Sequence, residues 1–252
     1  MSKNFELLRN VGRSSEVFQT ETEVEAESEP TAFTVTDGPL PVAVEGIELD
    51  EFTKFVSRVF LSGTEAPRQV AFTGIEPGSG SSRICVGAAE VLAAHASGSV
   101  CLLDANLRTP TLHKQFGVEN HFGLTEALQQ TGSIRKYARR FPEGNLSLIT
   151  SGSPVDNWQA LLASQQMQTR MAELRREFDY VLVDIPPLSV FANGLMLGGM
   201  SEGLILVLKA HSSRRKVAQQ IVKELRAANV NLLGAILNER RFPIPNGLYQ
   251  RL

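Results

Sequence analysis

Six short runs of nearly unbroken apolar residues recur along the chain, separated by stretches of helical character. They are Gln69-Val-Ala-Phe-Thr-Gly74, Ser99-Val-Cys-Leu-Leu-Asp104, Leu146-Ser-Leu-Ile-Thr150, Tyr180-Val-Leu-Val-Asp184, Gly203-Leu-Ile-Leu-Val-Leu208 and Leu232-Leu-Gly-Ala-Ile-Leu237. A strand with no polar face must be covered on both sides. Between the runs, Ser82 to Ala96 places Ile84, Ala88, Val91 and Leu92 at helical spacing. Gly123 to Leu128 predicts a short helix, and Trp158 to Glu177 and Arg214 to Ala228 predict long ones. Ahead of the first strand, Leu49, Phe52, Phe55, Val56, Val59 and Phe60 mark another, with Asp50 and Glu51 suiting its positive N-terminal end. Strands alternating with helices predict an α/β fold with a doubly wound, mainly parallel sheet.

The start of the chain obeys a different rule. Glu16, Glu21, Glu23, Glu25, Glu27 and Glu29 sit among Thr, Ser and Val, followed by Pro30, Gly38, Pro39 and Pro41. Such a stretch buries little apolar area and repels itself, so residues 1–45 are expected to be a disordered acidic linker. Asn4 can cap a turn carrying Phe5, Leu7, Leu8 and Val11, either a frayed end or a docking peptide. Residues 46–252 are expected to form the folded domain.

Composition narrows the function. A net charge of −2 gives no basic field, so nucleic acid is not expected as a partner. Two cysteines, Cys85 and Cys101, exclude a disulfide scaffold and are expected to be core residues. No apolar run approaches the roughly 20 residues that span a bilayer, and the first residues lack the apolar core of a signal peptide. A cytoplasmic location is expected. His95, His113, His121 and His211 lack metal-ligand spacing. Arg135, Lys136, Arg139 and Arg140 surround Tyr137 as a basic patch, expected to be a solvated helix face.

The loop Ile75-Glu-Pro77-Gly78-Ser79-Gly80-Ser81-Ser82-Arg83 follows a strand and opens a helix. That setting suits a cradle of backbone N–H groups for phosphate, with Gly78 and Gly80 supplying the backbone freedom. Ser82 is placed to offer its hydroxyl to Mg²⁺. A working phosphate loop puts lysine after the last glycine, and here that residue is Ser81. Two strands end in carboxylates, Asp104 and Asp184, at the edge where open α/β sheets bind ligands.

At these residues the chain resembles the bacterial tyrosine kinase (BY-kinase) family of capsular and exopolysaccharide biosynthesis, in the MinD-like branch of P-loop NTPases. The family loop x-x-P-G-E-G-K-S-T is matched in part by Ile75 to Arg83. Its D-x-D-x-R-x-P motif is matched, save one position, by Asp104-Ala-Asn106-Leu-Arg108-Thr-Pro110, and its F-D-Y-h-h-h-D-x-P-P motif in full by Phe178 to Pro187. Gly123 to Leu128, Ser151 to Asn157 and Gly234 to Asn238 follow in family order. The resemblance implies ATP and Mg²⁺ as cofactors, with Pro77 to Arg83 around the phosphates. It puts Ser82, Asp104 and Asp184 at the metal, Arg108 near the phosphates as a third catalytic residue, and Asn238 near the adenine. It also implies a membrane-embedded polysaccharide co-polymerase or adaptor as partner, peripheral attachment to the inner membrane through it, and a homo-oligomer.

The departures carry as much weight. Ser81 stands for lysine, Asn106 for the second acid, and Arg83 for threonine. The family's Glu-x-x-Arg-x-x-Arg oligomerisation motif meets only Glu51, Lys54 and Arg58. In place of a terminal tyrosine cluster there is Tyr249 alone. A hydrogen bond to a charged group contributes about 1.5–3 kcal/mol, so nucleotide binding weakens roughly 10- to 100-fold yet survives. Losing one preorganised electrostatic group costs about 10²- to 10³-fold in rate. The expectation is a regulatory nucleotide-binding or scaffold subunit with weak or no kinase activity. The alternatives are an active autokinase that labels Tyr249, with Arg108 replacing the lysine, and a MinD-like positioning ATPase.

Overall fold

The computed structural model describes residues 47–141, 145–190 and 194–239. The expected acidic linker, the amphipathic segment from Asn4 and Tyr249 lie outside the described residues.

In chain order the elements are α1 (Ile47–Phe60), β1 (Gln69–Gly74), α2 (Ser81–His95), β2 (Val100–Asp104), α3 (Leu112–Gln115), α4 (Leu124–Gln129), a 3₁₀ turn (Ile134–Tyr137) and β3 (Arg139–Arg140). Then come β4 (Leu146–Ile149), α5 (Trp158–Leu162), α6 (Gln165–Glu177), β5 (Tyr180–Asp184), α7 (Gly194–Gly199), β6 (Gly203–Lys209), α8 (Arg215–Ala227) and β7 (Leu232–Asn238). The sheet runs β3-β4-β2-β5-β1-β6-β7. Every pairing is parallel except β3 with β4. All six expected strands are present.

Two expectations are corrected. The helix predicted from Trp158 to Glu177 is two helices. Ser164 interrupts it, because its Oγ accepts the Met167 N–H at 3.2 Å and so starts a new helix. The basic patch is not a helix face. Arg139 and Arg140 form an antiparallel edge on β4, and Tyr137 is buried with its ring stacked 4.5 Å from Phe122. Arg135 bonds Glu177 and lies 5.0 Å over the Phe178 ring.

Period-two alternation sorts the strands between two cores. Val70, Phe72, Val100, Leu102, Leu182, Ile205 and Val207 meet α1 and α2 on one face. Ala71, Cys101, Leu103, Val181, Val183, Leu204 and Leu206 meet α4, α6 and α8 on the other. Both cysteines are fully buried. Carried two residues further, the same alternation brings Asp104, Asp184 and Lys209 out on the α2 face at the carboxyl edge. Parallel strands all end at that edge, and the loop from β1 rises between β5 and β6.

Candidate functional site

The loop between β1 and α2 is held open by backbone geometry. Gly78 and Gly80 have φ of 79° and 82°, the left-handed region that side chains disfavour. Gly80 has a second reason to be glycine, since a Cβ there would stand 2.2 Å from Asn238 Nδ2. Ser79 turns inward and is buried, and a Cβ on Gly74 would stand 1.8 Å from its Oγ. Pro77 and Gly78 are exposed at the tip. Gly80 caps α2 with no side-chain hydrogen bond. The first N–H groups of a helix have no carbonyl within it, so this end carries partial positive charge.

Ser81 is the first residue of α2 and is buried, 7% exposed. The position after the last loop glycine therefore holds a short neutral hydroxyl. Ser82 is half-buried beside Asp184, and Arg83 is exposed one residue further on.

Asp104 and Asp184 are paired across β2 and β5, and both are fully buried. Asp104 is well served. Its Oδ1 accepts from Asn106 N at 3.1 Å, and its Oδ2 from Leu112 N at 3.1 Å and Thr111 N at 3.3 Å. It thus caps the turn into α3, with some acceptor capacity to spare. Neither oxygen of Asp184 has a hydrogen-bond partner at bonding geometry among the described residues. Burial pushes Asp184 well above the carboxylate range, the nearby Asp104 adds to the rise, and the Ser82 hydroxyl opposes it. Burial likewise lifts Asp104 to about 7 against the three backbone N–H groups that lower it.

The remaining expected residues fare differently. Arg108 is exposed and makes no hydrogen bond or ion pair among the described residues, so nothing holds its guanidinium at the loop. Asn238, expected beside a base, donates from Nδ2 to the Ser79 carbonyl at 2.9 Å, while its Oδ1 accepts the Glu239 N–H at 2.9 Å. It braces the loop from β7. Lys209 escaped the reading of the sequence. It pairs with Asn238 across β6 and β7, and its Nζ lies 3.0 Å from Glu239 Oε2. Its only signal is that register, which no local pattern contains.

This arrangement suits two ligands. The glycine loop and the α2 N-terminus present N–H groups to an anion. The unpartnered Asp184, with Ser82 and the residual capacity of Asp104, presents hard oxygens that a divalent cation such as Mg²⁺ prefers. A cation there would relieve the buried charge that lifts both carboxyl groups.

A scan against protein-family models finds no match. The tyrosine-protein kinase YwqD of Bacillus subtilis is 32% identical over 182 residues, covering 72% of this chain and 76% of YwqD. The tyrosine-protein kinase Etk of Escherichia coli K12 is 28% identical over 206 residues, covering 82% of this chain. Those residues make up 28% of Etk, so the chain spans under a third of that longer relative. Among solved structures, the kinase domain of Escherichia coli Etk superimposes with a TM-score of 0.71 at 26% identity, covering 79% of each chain. A ParA family ATPase of Chlorobium tepidum, with a TM-score of 0.57 at 17% identity and covering 68% of this chain and 74% of its own, shares the fold alone. Sequence relationship and architecture agree, and the chain belongs to the bacterial tyrosine-protein kinase family.

Proposed function

We propose that this chain is a regulatory or scaffold member of its kinase family that binds ATP·Mg²⁺ weakly and transfers phosphate poorly or not at all. It would act in exopolysaccharide or capsule biosynthesis, on the cytoplasmic side of the membrane, through a membrane-embedded co-polymerase or adaptor. One observation carries the reading: Ser81 occupies the start of α2 where the family places lysine, and the next residue, Ser82, lies beside the buried Asp184. No helix among the described residues is long and apolar enough to cross a membrane, which fits attachment through a partner.

In this reading the loop N–H groups and the α2 N-terminus grip the phosphates. Asp184, Ser82 and Asp104 would hold Mg²⁺, which when bound would neutralise charge on the phosphate oxygens. Asn238 keeps the loop in its gripping shape. Phosphoryl transfer depends on positioning and on charge neutralised as it develops. Serine hydroxyl at position 81 supplies no such charge, and Asn106 supplies no second acid.

The test is incubation with labelled ATP and Mg²⁺, alongside Ser81→Lys. The wild type is expected to remain unlabelled, while calorimetry finds ATP·Mg²⁺ about 10- to 100-fold tighter in the variant. Robust wild-type labelling at Tyr249 would establish the active autokinase instead.

A further inference from the structure

The structure assigns Lys209 as the residue that brings an ammonium to the terminal phosphates in place of the one missing at position 81. This deepens the nucleotide-binding reading above and rests on it. The first support is topological. The loop leaves β1, whose neighbours are β5 on one side and β6 on the other. Asp184 closes β5 and Lys209 closes β6, so the anion and the cation flank the loop. Their strands are two spacings apart, roughly 10 Å.

The second support is facial. Ile205 and Val207 pack into the core on the α2 side, so Lys209, two residues on, emerges on that side too. Its cross-strand partner Asn238 already reaches the loop, bonding the Ser79 carbonyl and closing on Gly80. A lysine stem of roughly 6 Å from the neighbouring backbone position covers the same ground.

The third support is that Lys209 is fixed at its base and loosely held at its tip. Its N–H donates to Ser213 Oγ at 3.0 Å, and its carbonyl accepts the Ser213 N–H at 3.0 Å. Its Nζ meets Glu239 in a pair whose side chains are 38% and 53% exposed. Exposed pairs of this kind are weak, so phosphate oxygens can replace the carboxylate. Glu239 sits at a φ of 55°, a left-handed turn held by the Asn238 side chain, which delivers its carboxylate back to Lys209. The pair therefore stores the ammonium at the rim of the loop until a phosphate takes it.

Calorimetric titration of MgATP and MgADP into wild type, Lys209→Gln, Lys209→Arg and Glu239→Gln tests this. Lys209→Gln is expected to weaken MgATP about 10- to 100-fold and MgADP much less, with an unchanged melting temperature. Lys209→Arg retains most of the MgATP affinity, and Glu239→Gln tightens it a few-fold. MgATP also protects Lys209 from acylation, read by mass spectrometry. A purely structural lysine would move neither the ATP-to-ADP ratio nor the protection. Equal MgATP affinity in wild type and Lys209→Gln overturns the assignment while leaving nucleotide binding intact. Binding by Ser81→Lys alone also overturns it, since Lys209 then fails to substitute. Binding by neither wild type nor Ser81→Lys removes the nucleotide reading itself.

Discussion

Among the described residues Arg170 and Asp184 are both buried, and they are treated in opposite ways. Arg170 on α6 is 4% exposed, and four of its five guanidinium N–H groups are engaged. It donates to the carbonyls of Ala127, Gly132 and Gln130 at 2.6–2.8 Å and to Glu173 at 2.7 Å. Glu173 in turn accepts the Ile134 N–H at 2.8 Å, so the pair fastens the end of α4 and the following turn to α6. Asp184 on β5 is fully buried, and among the described residues neither of its oxygens has a partner at full hydrogen-bonding geometry. A charge that serves the fold is closed on every side, because an unpaired buried charge is costly. A charge left open at a ligand edge keeps its acceptors for something that is not protein. The contrast separates scaffold from site without reference to any relative.

Breaking the Arg170 network should do the most damage. Arg170→Met leaves three carbonyls without their donor and the Glu173 carboxylate without its cation, and is expected to cost about 3–5 kcal/mol in chemical denaturation. A loss below about 1 kcal/mol would mean the network is redundant.

The open charge should respond with the opposite sign. Asp184→Asn removes an uncompensated buried carboxylate and is expected to stabilise the ligand-free protein by about 2 kcal/mol, roughly 4–8 °C in melting temperature. The same change should abolish the Mg²⁺ dependence of nucleotide binding. It also carries a pH signature. Asp104 titrates near 3.8 when unfolded and near 7 when folded, so the folded state keeps protons that the unfolded state has released. Wild-type stability should therefore fall as pH rises from about 4 to about 7, and the raised Asp184 adds to that fall. Asp184→Asn, by removing the neighbouring charge, should flatten that slope. A wild type whose melting temperature rises across this window would sink the account.

Asn238 stands between the two extremes, with both amide ends engaged but the side chain only half-buried. Asn238→Ala is expected to cost about 1 kcal/mol and to speed amide exchange in the loop around Gly80. Unchanged exchange there would show that the loop keeps its shape unaided.

Local signals carried far into this fold. Unbroken apolar runs require burial on both faces, and helical spacing between them leaves little choice but a parallel sheet. Gly78 and Gly80 announced the loop, because their backbone angles are a property of the residue type. Asp104 and Asp184 announced their shared place at the carboxyl edge, because residues ending parallel strands meet there. Ser164 was legible as a helix start in hindsight, since a serine cap is a local feature. The basic patch was not, because an antiparallel strand of two residues has no periodicity to detect.

What the chain wrote into its own order was therefore the layered architecture, the glycine loop and the serine that follows its last glycine. Folding decided the rest: that Arg108 stays outside, that Asn238 braces Ser79 over a separation of 159 residues, and that Lys209 pairs with Asn238 across the last two strands. The physical reason is one of range. Backbone preference and burial are fixed within a few neighbouring residues. Strand order and register set which distant side chains meet, and they are settled only when the whole sheet closes.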